Sequence, residues 1–288
     1  MRSGTRVGED PGARGSLLSW RFWISTSHRA TLVLIHGLGE HAGRYESLAG
    51  LLAERGISVF SFDLRGHGRS QGRRGDLLAF QDFLGDLHRM ESVLSRVCSQ
   101  ERISPEPRFL FGHSLGALVA IRRLQESGPK PHGYRGAVIS APWLATPVPP
   151  WLKAVAGFLG RTAPSLPLPT GLSPKKLTRD PEKAREWRDD PRVHTRMTGR
   201  LFRAVEEAQS LCLDQGDALQ GLPMLFLVPE EDPVVSSAVT LEFVQGIDDE
   251  AHRVEILKGR MHEALNDLGR EEVYGILRSW FRAHGAPA

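Results

Sequence analysis

Features that assign a protein to a specialised class are scarce in this sequence. There are two cysteines, Cys98 and Cys212, which can form at most one disulfide and match no metal-binding spacing. No run of about 18 apolar residues that can span a membrane occurs, and Met1–Arg14 lacks the apolar segment of a secretory signal. We therefore expect reduced cysteines and a cytoplasmic protein.

The sequence also lacks an excess of charge of one sign. It has 37 Lys and Arg residues against 34 Asp and Glu, a net charge of +3 over 288 residues. No basic block is long enough to suggest a nucleic-acid partner. HExxH, CxxC and Walker patterns are missing, so neither a metal ion nor a nucleotide cofactor is expected. Hydrophobic residues make up 40% and charged residues 25%, which is typical of a globular chain.

Short apolar runs recur along the chain, and segments with helical periodicity separate them. A run that is apolar throughout predicts a strand buried on both faces, as in a parallel sheet. Helix candidates such as Phe80–Val97 carry apolar residues at spacings of three and four. The alternation predicts an α/β fold with a mostly parallel central sheet and helices on both sides. The strand candidates are Thr31–His36, Ile57–Phe62, Arg108–Phe111, Gly136–Ile139, Pro223–Val228 and Arg253–Leu257.

A proline-rich stretch interrupts this alternation over residues 143–203. It combines apolar residues with the charged run Lys175–Arg192 and lies between two core strand candidates. We interpret it as an inserted cap or lid; the alternative is a long surface excursion with no role. The core then comprises residues 16–142 and 204–288, and residues 1–15 are expected to form a flexible N-terminus.

The strongest local signal is the segment Gly112–Gly116, with the sequence GHSLG. It follows an apolar strand candidate and opens a helix, so Ser114 would stand on a sharp turn above the sheet as a nucleophile. The segment Gly68–Gly72 places Ser70 at the same spacing, but no strand directly precedes it and no helix directly follows it. Ser114 is therefore the predicted nucleophile, and Ser70 is interpreted as a loop residue.

A serine nucleophile needs a base, and the base needs a carboxylate that orients it. In this strand-turn-helix context the acid and then the histidine follow the serine along the chain. Asp232 lies beyond the carboxyl end of Pro223–Val228, with Glu230 and Glu231 as neighbouring competitors. His262 follows the last strand candidate. We predict Asp232 as the acid and His262 as the base.

Two backbone N–H groups should face the oxyanion that forms during acyl transfer. The residue after the nucleophile, Leu115, is expected to supply one of them. The loop after the strand candidate Thr31–His36 should supply the other, and we predict Leu38, which lies between two glycines.

Three segments resemble motifs of one family. His36–Tyr45 (HGLGEHAGRY) is similar to HGxGEHxxRY, Phe62–Ser70 contains D-x-R-G-H-G-x-S, and Gly112–Gly116 matches GHSxG. Asp190 and Pro191 resemble a further element found after the cap. The sequence thus resembles the α/β-hydrolases of the monoacylglycerol lipase, lysophospholipase and serine aminopeptidase S33 group. The resemblance implies an α/β-hydrolase fold without a cofactor, and the same nucleophile, acid, base and oxyanion donors.

The polar residues of these motifs have two interpretations. They either contact substrate or support the loops around the oxyanion donors, and we favour the second role. His113 is likewise expected to pack beside the nucleophile turn rather than to react. The six motif residues in question are His41, Arg44, Tyr45, Asp63, Arg65 and His67.

The resemblance implies a serine hydrolase that cleaves carboxylic esters through an acyl-enzyme, most similar to a monoacylglycerol lipase or lysophospholipase. The expected partner is a small-molecule ester or lipid, and an apolar cap can also make transient contact with a membrane or micelle. Alternatives on the same fold are peptide hydrolysis at an N-terminal residue and carbon–carbon bond hydrolysis; a different class is a non-catalytic binding protein. The cap residues predicted to contact the acyl chain are Trp143, Trp151, Leu152, Val155 and Phe158.

Overall fold

The apolar runs of the sequence form the interior of one large sheet. The computed structural model describes residues 4–126, 133–147, 149–247 and 249–286. Within this part of the chain eight strands join one sheet and two short strands form a second. The strands are β1 (Gly4–Pro11), β2 (Leu17–Ile24), β3 (Ala30–Ile35), β4 (Ile57–Phe62), β5 (Arg108–His113), β6 (Gly136–Ser140), β7 (Pro167–Pro169), β8 (Arg196–Thr198), β9 (Met224–Pro229) and β10 (His252–Leu257).

The helices of the described chain lie between these strands, and several begin at recognisable caps. Helix α6 starts at a proline behind Asp180, whose carboxylate accepts from the N–H groups of Glu182 and Lys183. Helix α7 starts behind Thr198, whose hydroxyl accepts from Leu201 N–H. The helices are α1 (Glu46–Ala53), α2 (Gln81–Glu101), α3 (Leu115–Glu126), α4 (Pro150–Thr162), α5 (Pro174–Leu177), α6 (Pro181–Asp189), α7 (Gly199–Asp214), α8 (Ser237–Ile247) and α9 (Arg270–Ala283).

The large sheet has the order β1-β2-β4-β3-β5-β6-β9-β10. Strands β1, β2 and β4 pair antiparallel, and every pair from β4 to β10 is parallel. Interior strands β3, β4, β6 and β9 are buried along their whole length, because helices cover both faces of a parallel sheet. The predicted mostly parallel sheet is therefore confirmed, and its carboxyl ends meet at one edge.

Alternate side chains of each interior strand enter different hydrophobic clusters on the two faces. In β3, Val33 and Ile35 join the cluster that contains α2 and α3, whereas Leu32 and Leu34 join the one that contains α1 and α9. This alternation follows from the two-residue period of a strand. The sheet is thus held from both sides, and its carboxyl edge is a rigid platform for loops.

The segment between β6 and β9 contains α4, β7, α5, α6, β8 and α7. Helix α7 begins inside the predicted cap of residues 143–203 and continues past residue 203 to Asp214. Helices α4 and α7 touch at Gly160 and Gly199, where an added Cβ on Gly199 would lie 2.7 Å from the Gly160 Cα. Only glycine permits so close a backbone approach.

The N-terminal residues differ from the expectation of a flexible segment over 1–15. Residues Gly4–Pro11 form β1, which pairs antiparallel with the whole of β2. Its side chains are mostly polar because it is the edge strand of the sheet, with Val7 67% exposed. Backbone hydrogen bonding, which an apolar pattern does not reveal, explains its order.

Candidate active site

Ser114 occupies the single residue between the end of β5 and the start of α3. Its φ is +53°, a left-handed conformation that costs a non-glycine residue energy and recurs at functional turns. Both flanking residues must be glycine because a side chain would not fit. A Cβ added to Gly112 would lie 2.4 Å from Gly116 O, and a Cβ added to Gly116 would lie 2.2 Å from Ile35 O. The turn therefore has the strained geometry predicted for a nucleophile.

The rival serine is engaged elsewhere. The Ser70 hydroxyl accepts from Ser19 N–H at 2.9 Å and donates a short hydrogen bond to the Asp63 carbonyl. Ser70 is not among the residues that line the cavity beside Ser114. Its contacts are those of a residue that holds a loop.

His262 and Asp232 form a buried pair. The Nδ1 atom of His262 lies 2.7 Å from Asp232 Oδ2, and the side chains are 4% and 0% exposed. The other carboxylate oxygen, Oδ1, accepts from the N–H groups of Val234 at 2.8 Å and Val235 at 3.0 Å. Asp232 is thus fixed by the backbone of its own loop, and it fixes the imidazole in turn.

This pairing shifts both groups toward their charged forms. Burial alone would raise the pKa of the Asp232 carboxyl, but His262 and the two N–H donors lower it below its ordinary value. Burial alone would lower the pKa of His262, but the charge and hydrogen bond of Asp232 raise it above 6.5. Asp232 therefore stabilises the protonated imidazole that a general base becomes.

The competing acids do not contact His262. Glu230 accepts from Gly259 N–H at 2.9 Å, and Glu231 Oε1 would lie 4.0 Å from a Cβ placed on the same glycine. Both lie on the loop that follows β9, but their carboxylates face residue 259. The structure brings Asp232, rather than either glutamate, to the predicted base.

Ser114 and His262 line the same cavity. Within the described residues the Ser114 hydroxyl makes no hydrogen bond, so the serine-to-imidazole bond is not formed. Such catalytic hydrogen bonds are often loose before substrate binds. The predicted serine and base thus line one cavity, and the predicted acid, which is not among the lining residues, already contacts the base.

The two predicted oxyanion donors belong to the residue after this serine and to a loop that lines the same cavity. Leu38 lines the cavity, and Leu115 is the first residue of α3, where helical N–H groups have no intrahelical partner. In the described chain neither backbone N–H donates a hydrogen bond. Both donors are therefore free.

A buried ion network supports the loop that carries Leu38. Glu40 accepts from Gly37 N–H at 2.6 Å, from Tyr45 Oη at 2.8 Å and from Arg44 Nη1 at 2.9 Å. Burial would raise the pKa of the Glu40 carboxyl, but the charge of Arg44, together with those of two histidines and the hydrogen bond from Gly37, lowers the pKa to about 2. Arg44 also donates to both oxygens of Glu263, at 2.6 and 2.7 Å.

This network joins the oxyanion loop to the base, because Glu263 directly follows His262. Sequence analysis included Arg44 and Tyr45 among the motif residues but assigned no role to Glu263. The sequence did contain a signal for this role. A carboxylate directly after the predicted base can form an ion pair with Arg44, the one Lys or Arg residue of the motif His36–Tyr45.

The other motif residues also hold loops. Asp63 accepts from the N–H groups of Ala42 at 2.9 Å and Arg69 at 2.8 Å. Arg65 pairs with Asp86, and His41 with Asp190 at 2.9 Å. None of the six motif residues is among those that line the cavity. These contacts support the structural interpretation of the six residues.

Two histidines pack without an evident chemical role. His113 Nδ1 lies 3.3 Å from Ser140 Oγ, and its ring centroid is 4.8 Å from that of His262. Burial, followed by the charge of His262, lowers the pKa of His113 to about 4. His67 lies with its ring centroid 4.8 Å from that of His194, a cap residue. As expected, His113 packs beside the nucleophile turn.

The cavity has a volume of about 380 Å³, which falls in the range of small-molecule sites. Of the predicted cap contacts, Trp143 and Val155 line it. Trp151 and Phe158 do not; they are 66% and 62% exposed. The Leu152 side chain lies outside the described residues.

Sequence analysis missed most of the apolar wall. It relied on the hydrophobic pattern of α4, whereas much of the wall comes from other segments. Trp187 could have been predicted from the sequence, because it is the one aromatic residue in the charged run Lys175–Arg192. In the structure its side chain is buried. The apolar lining residues that were missed are Leu159, Leu168, Leu172, Leu177, Trp187, Met197, Phe202 and Val234.

Two structural observations bear on cofactors and membranes. Among the described residues no group of three or more His, Cys, Asp or Glu side chains is arranged to hold a metal ion. None of the helices in the described ranges is both long and apolar enough to cross a membrane.

Comparisons with known proteins agree with this geometry. The model of the family "Serine aminopeptidase, S33" matches residues 26–269. The chain is 29% identical to a monoacylglycerol lipase of Mycolicibacterium smegmatis over 95% of each chain, and 26% identical to the phospholipase YtpA of Bacillus subtilis over 90% of this chain and 97% of that one. It resembles the crystal structure of a monoacylglycerol lipase of Paleococcus ferrophilus with a TM-score of 0.81 and 32% identity, covering 93% and 99% of the two chains. The predicted α/β-hydrolase fold is confirmed.

Proposed function

The chain belongs to the serine aminopeptidase S33 family and is a hydrolase of the α/β-hydrolase fold, and on this premise we propose that it cleaves carboxylic esters through an acyl-enzyme on Ser114. The substrate class is a monoacylglycerol or lysophospholipid. The observation that carries the proposal is the buried 2.7 Å contact between His262 and Asp232 beside a cavity that Ser114 also lines. Two curated relatives that match over nearly the whole chain are a monoacylglycerol lipase and a phospholipase, which favours esters over peptides.

The reaction has two steps. His262 takes the Ser114 proton while Oγ attacks the ester carbonyl, and the N–H groups of Leu38 and Leu115 stabilise the oxyanion. The tetrahedral intermediate then expels the alcohol, which receives the proton from His262. Water, activated by the same imidazole, attacks the acyl-enzyme and releases the fatty acid. Asp232 keeps the imidazole oriented and stabilises its charge in both steps.

The apolar wall of the cavity is the acyl-chain site. Trp143, Trp187 and Phe202 line it together with aliphatic residues of the cap. Burying a methylene group contributes about 0.8 kcal/mol, so a longer acyl chain gains affinity until the cavity is filled.

The exposed face of α4 is the surface we assign to contact with a membrane or micelle. Trp151, Val155 and Phe158 are 66%, 45% and 62% exposed, and Leu166 nearby in the chain is 46% exposed. Their spacing of four and three residues puts the first three on one side of the helix. Exposed apolar patches of this kind mark interaction surfaces. The buried free cysteines, Cys98 and Cys212, favour a cytoplasmic location.

Fluorophosphonate labelling tests the nucleophile. The wild type should become labelled, and Ser114→Ala should not, whereas Ser70→Ala should label normally if it folds. Labelling of Ser114→Ala that is lost in Ser70→Ala would show that the wrong serine was chosen. A panel of p-nitrophenyl esters, monoacylglycerols, lysophospholipids and aminoacyl amides then tests the substrate class. Turnover of the amides alone would overturn the ester assignment.

A further inference from the structure

The loop that carries Leu38 is fixed by the core at its beginning. His36 Nε2 accepts from Leu64 N–H at 2.8 Å, so the ring proton lies on Nδ1, which donates to the Gly37 carbonyl at 2.8 Å. This carbonyl and the Leu38 N–H belong to the same peptide, and in a trans peptide the two groups point in opposite directions. The core therefore sets the direction of the predicted oxyanion donor from one side.

The same loop is fixed by the cap just after Leu38. His194 N–H donates to the Gly39 carbonyl at 2.9 Å. Gly39 has a φ of +79°, and a Cβ added to it would lie 2.2 Å from His194 O, so only glycine permits this approach. The backbone of the cap thus rests on the residue that follows the donor.

Asp190 joins the cap to this loop a second time. Its Oδ2 lies 2.9 Å from His41 Nε2. His41 Nδ1 accepts from Gly43 N–H at 3.1 Å, so the ring proton lies on Nε2 and is donated to Asp190. Burial lowers the pKa of His41, which favours this neutral form. The side chains of His41 and Asp190 are 2% and 15% exposed, so water competes little for the contact.

The same carboxylate shapes the turn that leads to His194. Asp190 Oδ1 accepts from Arg192 N–H at 2.9 Å, and the Asp190 carbonyl accepts from Val193 N–H at 3.1 Å. The Arg192 guanidinium donates to both carboxylate oxygens, at 2.9 and 2.7 Å. One side chain therefore holds His41 directly and holds the turn that delivers His194 to the loop.

We propose that Asp190 is a positioning residue for the oxyanion site: from the cap, through His41 and the turn before His194, it keeps the Leu38 N–H directed at the oxyanion. This inference rests on the proposed acyl transfer at Ser114. The carbonyl oxygen of the ester acquires its full charge only as the tetrahedral intermediate forms, so a well-directed donor acts mainly on the transition state. Loss of the cap contact should therefore slow the chemistry rather than weaken substrate binding.

The test replaces the carboxylate by an amide of nearly the same shape. Asp190→Asn puts an NH₂ group where one oxygen was, so either His41 or Arg192 loses its acceptor. On a soluble p-nitrophenyl ester kcat should fall about tenfold, a part of the roughly 100- to 1,000-fold loss for a whole oxyanion donor, and KM should change less than about twofold. Titration with fluorophosphonate counts active sites, so unfolded protein does not enter kcat. The matched control is Asp189→Asn, which alters the neighbouring exposed partner of Arg188 and should change neither constant.

A second measurement reports on the oxyanion itself. An alkyl trifluoromethyl ketone adds to Ser114 Oγ and forms a tetrahedral adduct whose oxygen is charged, as in the transition state. In Asp190→Asn its Ki should rise by the same factor as kcat/KM falls, whereas the Ki of the corresponding secondary alcohol, which has no carbonyl, should stay unchanged. His41→Gln should act in the same way. The double variant should be about as slow as the slower single variant, because both changes break one contact.

The pH profile separates this role from an effect on the base. The charges that raise the pKa of His262 are those of Asp232, Glu263 and Glu40. The acid limb of kcat/KM should therefore stay in place in Asp190→Asn. A displaced limb would assign the loss to the base and overturn the proposal.

The remaining outcomes distinguish this proposal from the broader one. An unchanged Ki of the ketone in Asp190→Asn, a loss confined to KM, or an equal loss in Asp189→Asn would overturn the positioning role while the ester hydrolase stands. A wild type that the ketone does not inhibit and that fluorophosphonate does not label at Ser114 would overturn the acyl-enzyme and this inference with it.

Discussion

The front half of the cap, residues 143–170, and its back half, residues 171–203, are attached to the core in different ways. In the front half, α4 packs against α7 and leaves Trp151 and Phe158 largely exposed. The back half is bound to the loops of the site: Arg179 N–H donates to Asp267 at 2.7 Å, and His194 N–H donates to the Gly39 carbonyl at 2.9 Å.

The difference assigns separate tasks to the two halves. The back half contacts the loops of the predicted base and of the predicted oxyanion donor Leu38. The front half offers an apolar outer surface and part of the proposed acyl-chain site. Under the proposed function the back half positions the chemistry and the front half meets lipid, and the four predictions below test this division.

The largest effect on stability is expected where the back half is fixed to the core. The Asp267 side chain is fully buried and accepts from Met261 N–H at 3.0 Å as well as from Arg179. Asp267→Ala leaves these donors without a partner and should lower the free energy of unfolding by about 3 kcal/mol. Because Met261 precedes His262, kcat should fall as well.

Urea denaturation and ester kinetics measure both effects. The control is Asp189→Ala, which removes an exposed partner of Arg188 and should change stability by less than about 0.5 kcal/mol. Similar stability changes in the two variants would contradict the idea that the back half is firmly fixed.

A smaller loss is expected at the glycine contact between α4 and α7. In Gly160→Ala the new Cβ would lie 2.7 Å from both Gly199 O and Arg203 Cδ, so stability should fall by about 1–3 kcal/mol. Gly157→Ala is the matched control on the same helix, since no atom lies within 4 Å of its added Cβ. That variant should gain about 0.5–1 kcal/mol. Thermal unfolding of both variants checks the prediction, and equal shifts would count against it.

The pH dependence of kcat/KM should reflect the charged groups around His262, whose loop the back half of the cap contacts. His262 must be neutral to act as a base, and Asp232 raises its pKa above 6.5. The acid limb of kcat/KM should therefore lie above pH 6.5, with activity lost as pH falls through it. The charge of Glu263 also raises this pKa, so Glu263→Gln should move the limb to lower pH.

The control for this shift is Glu231→Gln, which alters a carboxylate that faces residue 259 rather than the base and should leave the limb in place. An acid limb at or below pH 6.5 in the wild type would be inconsistent with the Asp232 contact. Initial rates on a soluble p-nitrophenyl ester across the pH range provide the measurement.

The smallest effect on stability is expected on the exposed face of α4. Replacing both Trp151 and Phe158 with serine should change the free energy of unfolding by less than about 0.5 kcal/mol per site and leave turnover of a soluble ester intact. Binding to phospholipid vesicles in a co-sedimentation assay should fall several-fold because the apolar contact area is lost. Unchanged vesicle binding would show that another surface meets the lipid.

The two halves also explain what the sequence can predict. The strands after which Ser114 and Asp232 lie are largely apolar runs, whereas β10, which precedes His262, mixes charged and apolar residues. The order of elements brings Ser114 and His262 to one cavity and Asp232 to the imidazole of His262. Apolar patterning directed the substrate-site prediction to five front-half residues, and of the four whose side chains are described only Trp143 and Val155 line the cavity.

The remaining features depend on contacts that hydrophobicity does not encode. The back half is rich in charge, and its order comes from ion pairs and backbone hydrogen bonds to distant loops, such as the ion pair between Arg179 and Asp267. The same reason explains the N-terminal strand Gly4–Pro11, which is polar and is held by its backbone ladder with β2 and by ion pairs of Arg6 and Asp10 with α2. To predict the order of such segments, one must ask which polar residues far apart in the sequence can pair with one another.

Helix α7 has a consequence for protein engineering. It starts at Gly199 among cap residues and ends at Asp214 beside the core helix α3, so the cap is not a detachable module. A chimaera made by exchanging caps at residue 203 would join two parents inside one helix, because α7 continues to Asp214. Recombination junctions placed after Ser140 and before Met224, at the two sheet strands that frame the insertion, would transfer the helix intact.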